Sequence, residues 1–197
     1  LTVLETQVSK ALLSFPAGSA GGPDGLSPQH LKDLINCKEA GSDLITALTA
    51  FVNMCLSGVR PRDISNIFFG GKLISLNKKS GGIRPIVIGF TLRRLTSKLA
   101  NTFGISRLST YFSPRQLGVG TPGGCEAAVH ASRRFLLSLN DEKVFVKLDF
   151  SNAFNSLHRQ DMLLAIRERL PEIYAYVFSS YSEPSNLFYG SFELMSR

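Results

Sequence analysis

The sequence is poor in the residues that build metal centres and disulfide frameworks: its 197 residues hold three cysteines and three histidines. Cys37, Cys55 and Cys125 are widely separated, odd in number and set within apolar helical patterns, so neither a disulfide ladder nor a zinc site fits their spacing. They read as buried free thiols, which implies a reducing compartment. His30, His130 and His158 form no cluster, and each reads as a helix-surface or core-edge residue rather than a ligand.

Long apolar runs are missing too. The most apolar stretch, Leu44 to Leu56, is interrupted by Thr46, Thr49 and Asn53 and is too short to span a bilayer. No signal-peptide pattern and no initiator methionine stand at Leu1, so the expectation is an intracellular chain, nuclear or cytoplasmic, that begins inside a longer protein. Acids are scarce: 22 Lys and Arg stand against 15 Asp and Glu, a net charge of +7. That balance suits a polyanionic partner without requiring one. With 44% hydrophobic residues the chain can bury the core of one domain.

Leu4, Val8, Leu12 and Leu13 recur at helical spacing and predict a first helix ending before Pro16. The glycine-rich run Ala17 to Gly25 then excludes a regular element. Ser27 and Pro28 supply an N-cap and first-turn proline for a helix carrying Leu31, Leu34 and Ile35. Leu44, Leu48, Phe51, Val52 and Cys55 form the next stripe, closed by Gly58 and Pro61. Phe68-Phe69 and Lys72 to Leu76 read as β, and Ile83 to Ile88 as the return strand of a hairpin whose tip, Asn77 to Gly82, is basic. Lysines beside a Gly-Gly turn, with Arg84 on the return strand, supply the donors a phosphate needs; a solvated tip with lysines that discourage edge pairing fits the same residues.

Leu92, Leu95, Leu99 and Phe103 predict a helix whose other face carries Arg93, Arg94 and Lys98, with Arg107 beyond Gly104. Such a face tracks a nucleic-acid backbone or is simply solvated. Gly118 to Gly123 matches the letters of a dinucleotide fingerprint, but Tyr111 to Gln116 is a poor strand, Pro122 interrupts the loop and no acid follows a second strand. That reading is rejected. A helix from about Glu126, with Ala128, Val129, Phe135 and Leu136 apolar, leads into Val144 to Phe150. There Val144, Val146, Leu148 and Phe150 alternate with Phe145, Lys147 and Asp149, which predicts a strand with a core face and an aspartate at its rim. The C-terminal part predicts two further helices, around Met162 to Leu170 and Ile173 to Phe178, and a hairpin turning at Gly190-Ser191.

The stretch Leu148-Asp149-Phe150-Ser151-Asn152-Ala153-Phe154-Asn155-Ser156 resembles the first palm motif of reverse transcriptases, in the form found in retrotransposons without long terminal repeats. Lys78-Lys79-Ser80-Gly81-Gly82-Ile83-Arg84-Pro85-Ile86 resembles the fingers hairpin of those enzymes, Gln116-Leu117-Gly118 their fingers-to-palm link, and Gly22 to Pro28 a segment upstream of the fingers. The resemblance implies a mixed α/β (α+β) chain: right-hand polymerase fingers with a partial palm. Residues 1–25 would be an N-terminal helix and hinge, 26–140 fingers and connecting helices, and 141–197 the start of the palm.

It further implies an RNA-directed DNA polymerase with an RNA template, a DNA primer and deoxynucleoside triphosphates as partners, two Mg²⁺ ions in the complete domain, and no membrane. Asp149 would be catalytic and a metal ligand together with the Phe150 main-chain carbonyl. Lys79 and Arg84 would bind triphosphate, with Lys78 the other candidate, Asn152 would lie beside it, and Phe154 would exclude a ribose 2′-hydroxyl. Arg115, Gln116 and Gly118 would approach the template. The family's later glycine motif and aspartate pair do not occur here, and the sequence holds no Asp-Asp dipeptide, so the chain alone is expected to be inactive. The alternatives are a non-catalytic nucleic-acid-binding remnant of a retroelement, and an unrelated basic domain if Asp149 is buried against Lys147.

Overall fold

The computed structural model describes residues 1–59, 62–79, 81–151 and 153–196, and the side chains of Arg62 and Phe154 lie outside that description. Amphipathic helices supply most of the core. α1 (Glu5–Leu13) buries Val8, Ala11 and Leu12. α2 (Pro28–Ile35) starts as expected, with the Ser27 hydroxyl accepting from the His30 backbone N–H and Pro28 in the first turn. α3 (Gly41–Leu56) buries Leu48, Val52, Cys55 and Leu56.

α5 (Thr91–Phe112) is the central element: it runs unbroken through Gly104 and buries Leu95, Leu99 and Ala100. α9 (Pro171–Tyr181) adds Ile173 and Tyr176 to the same cluster. Tyr176 carries a polar group into that core, and its hydroxyl is satisfied by Ser97 Oγ at 2.7 Å and the Arg93 carbonyl at 3.3 Å. Burial pushes its pKa upward.

The two predicted hairpins, β1 (Gly71–Asn77) with β2 (Ile83–Gly89) and β3 (Asn186–Tyr189) with β4 (Phe192–Met195), form and join into a four-stranded sheet of order β2-β1-β3-β4. β1 pairs antiparallel with β2, from Gly71 opposite Gly89 to Asn77 opposite Ile83. β3 pairs parallel with β1 at Gly71 and Lys72, and antiparallel with β4. The junction needs a bare backbone, because a Cβ on Gly70 would sit 2.1 Å from the Asn186 carbonyl oxygen. Pro85, which cannot donate to a ladder, lies in β2 at the sheet edge.

Several expectations are corrected. Phe68 closes a short helix, α4 (Arg62–Phe68), instead of starting a strand. The Phe69 N–H still bonds the Ser65 carbonyl in helical fashion, and the Phe68 ring meets Phe51 and Phe69 edge-on. Aromatic packing, not a ladder, fixes this pair. Cys55 is buried, but Cys37 and Cys125 are exposed. Cys37 falls in the turn between α2 and α3, and Cys125 in the first turn of α6 (Gly124–Leu137).

α6 buries only Gly124, and Val129, Phe135 and Leu136 remain substantially exposed, so it does not pack against the sheet. The largest correction concerns Val144 to Phe150. This segment is not a strand, and all its side chains are exposed. A period-two pattern defines a face, but a strand also needs neighbours for its N–H and C=O groups. Among the described residues β1 to β4 pair only with one another, and the segment touches α6 through the Phe135 and Phe145 rings, 6.2 Å between centroids. α7 (Ala153–Ser156) and α8 (Arg159–Arg169) follow it. No described helix is long and apolar enough to cross a membrane.

Candidate functional site

The hairpin tip is built by its glycines. Gly81 and Gly82 have φ of +85° and +87°, and no atom lies within 4 Å of a Cβ placed on either, so backbone conformation and not space demands glycine. Lys78 N–H donates to the Gly82 carbonyl at 2.9 Å and Gly81 N–H to the Lys78 carbonyl at 3.1 Å, closing the turn. The ladder sets Arg84 opposite Leu76. Leu76, Asn77, Lys78, Lys79 and Arg84 line a concavity of about 470 Å³, with no carboxylate among the described residues of its wall. The three cations are brought together as expected, and both lysines reach the concavity.

Asp149 is exposed within Val144 to Phe150 and makes no ion pair with Lys147 or any other described residue. The condition set for an unrelated domain, burial of Asp149 against Lys147, is not met. Phe150 is exposed beside it. Asn152 lies outside the described residues; Phe154 belongs to α7, but its side chain lies outside them too. Magnesium requires several oxygen ligands. Among the described residues no three His, Cys, Asp or Glu side chains are grouped to hold a metal, and Asp149 alone does not fit two ions. No catalytic step through a metal follows from these residues.

Gln116 shapes its own loop. Its side-chain oxygen accepts from the Gly118 N–H and from the Val119 N–H at 2.9 Å. Arg115 beside it is exposed. The loop follows the end of α5, a helix and not a strand, which agrees with rejecting a dinucleotide fingerprint.

The basic residues of α5 hold the chain together. Arg93 donates to the Phe69 carbonyl and, at 3.0 Å, to that of Gly70. Arg94 donates to the Ala20 carbonyl at 2.6 Å and Lys98 to that of Ser14 at 3.2 Å, while both cations lie over the Phe15 ring. Burial lowers the pKa of Arg94. Arg107 pairs with Glu172 at 2.7 Å and holds that carboxyl below its ordinary pKa, chiefly through the hydrogen bond.

The glycine-rich run, which the sequence left without a place, therefore lies over the start of α5. Gly22 packs so closely on Phe90 that a Cβ would approach its Cα to 2.7 Å, and Thr91 Oγ1 donates to the Leu26 carbonyl. The spacing of Arg94 and Lys98 placed them on one helix face, but no local signal could have named their partners, 74 and 84 residues earlier. Glycines clustered before a capped helix were the one available hint of a close crossing.

No protein-family model matches the sequence, and no curated protein matches it.

Proposed function

We propose that the chain is the fingers and the start of the palm of an RNA-directed DNA polymerase of the non-LTR retroelement type. The observation that supports it most is the concavity at the β1–β2 tip, where Lys78, Lys79 and Arg84 converge around a glycine turn. A triphosphate needs such a set: cations on short, adjustable backbone, with Arg84 offering a planar fork. Lys79 and Arg84 bind the triphosphate of an incoming deoxynucleotide, Asn152 lies beside it, and Phe154 blocks a 2′-hydroxyl.

In this reading Asp149 and the Phe150 carbonyl would hold part of a two-Mg²⁺ site only once further carboxylates joined them, and Arg115, Gln116 and Gly118 would border the template. RNA template and DNA primer are the partners. The 197 residues lack the aspartate pair and do not extend a primer by themselves. A second reading, a nucleic-acid-binding remnant that never polymerises, is favoured by the exposure of the segment that carries Asp149, which pairs with no strand among the described residues.

The test is titration of the 197-residue chain with a fluorescent deoxynucleoside triphosphate. Arg84→Gln and Lys79→Gln are each expected to weaken binding about tenfold, the loss of one charge-assisted contact of roughly 1.5 kcal/mol. Lys38→Gln, in the turn between α2 and α3, serves as the control. Equal binding by all variants contradicts the assignment of the hairpin.

A further inference from the structure

A second concentration of positive charge lies away from the hairpin tip. A cleft of about 670 Å³ is bounded by Phe15 and Ala20, the end of β2, α5 and Tyr181 at the end of α9. Arg93, Arg94 and Lys98 line it, and among the described residues no Asp or Glu does. Among the described residues none of the three forms an ion pair; the carbonyl bonds and the Phe15 ring orient the charges without neutralising them.

Donor capacity is left over. Arg94 commits one N–H to a protein acceptor and Lys98 one, where a guanidinium carries about five donors and an ammonium about three. Like charges four residues apart on a helix also repel, so an anion between Arg94 and Lys98 would relieve the helix. Tyr181 is 41% exposed at the rim and offers a ring to a planar group.

We infer that this cleft binds a single-stranded nucleic acid, with Arg94 and Lys98 on consecutive phosphates and a base stacked on Tyr181. Cations matched to phosphate together with an exposed aromatic face are the combination that single strands use. The cleft shares no lining residue with the hairpin concavity: along β2 the nearest lining residues are Arg84 and Val87, about 10 Å apart at about 3.3 Å per residue. It uses neither Asp149 nor the hairpin cations, so it stands or falls independently of the polymerase reading.

The test is fluorescence anisotropy of a labelled oligouridylate with the 197-residue chain over a range of salt. Each lost single-strand phosphate contact removes about 0.7 from the slope of log K against log salt. Arg94→Gln with Lys98→Gln is expected to flatten the slope by about 1.4, which corresponds to roughly 25-fold weaker binding near 0.1 M salt. Lys98→Arg should bind like the parent, and Tyr181→Ala about fivefold more weakly or worse.

Unchanged affinity and slope in a double variant with the parent's urea midpoint would overturn the inference. So would displacement of the strand by polyglutamate of equal charge, or by inorganic phosphate as efficiently as by unlabelled strand. If the double variant loses its urea midpoint, Lys98→Gln and Tyr181→Ala decide the matter: an unchanged slope in the first and unchanged affinity in the second would overturn it.

Discussion

Two leucines separate the fold described here from the one that alternation alone predicts. Leu95 on α5 is 0% exposed in the core, and Leu148, one residue before Asp149, is 72% exposed. Leu95→Ala removes a full set of packing partners and leaves a cavity, at a cost of about 3 to 5 kcal/mol. Leu148→Ala removes a side chain already in water and should change stability by less than about 0.5 kcal/mol.

With a urea dependence of about 2 kcal/mol per molar, the first variant should lower the denaturation midpoint by roughly 1.5 to 2.5 M and the second by at most about 0.25 M. Urea melts of the 197-residue chain, followed by circular dichroism, measure both against the parent. Were Val144 to Phe150 a core strand, Leu148→Ala would cost nearly as much as Leu95→Ala. A loss above about 2 kcal/mol for Leu148→Ala would refute the exposed segment.

Thiol chemistry and one surface pair give two more predictions. The Cys37 thiol has its pKa lowered by the backbone N–H groups of Glu39 and Ala40, whereas burial raises that of Cys55. Peptide mapping of iodoacetamide adducts should show Cys37 alkylated at a pH below that needed by free cysteine and Cys55 protected until the chain unfolds; early labelling of Cys55 would contradict its burial. Arg107→Gln should raise the Glu172 carboxyl toward its ordinary value in an NMR titration. Because the folded value is depressed, the pair stabilises above the ordinary carboxylate range and its contribution disappears as pH falls through the folded pKa; an unmoved titration would mean the pair is not populated.

What could be read from the sequence was local. The Ser27-Pro28 start of α2, the stripe of α3 and the two hairpin turns rest on caps, period and glycine chemistry within a few residues, and all are present. So is the convergence of Lys78, Lys79 and Arg84, because a two-stranded turn fixes it. The parallel pairing of β1 with β3 was not readable: it joins residues more than 100 apart through a crossing that only Gly70 hints at.

Val144 to Phe150 shows the opposite failure. Its alternation is strong, yet a ladder needs partners, and a pattern in one segment does not supply them. The thiols of Cys37 and Cys125 were misplaced for a similar reason, since one sits in a turn that interrupts the helical period and the other on a helix that buries almost nothing.

The central claim is that Asp149 belongs to a polymerase, and primer extension addresses it most directly. The protein, expressed at the full length its gene encodes, is given an RNA template, a DNA primer, deoxynucleotides and Mg²⁺, beside an Asp149→Asn variant of equal urea midpoint. The account predicts DNA synthesis that the variant abolishes and that ribonucleotides do not support. Extension unaffected by Asp149→Asn, or no extension by a folded parent with an intact reading frame, would contradict it.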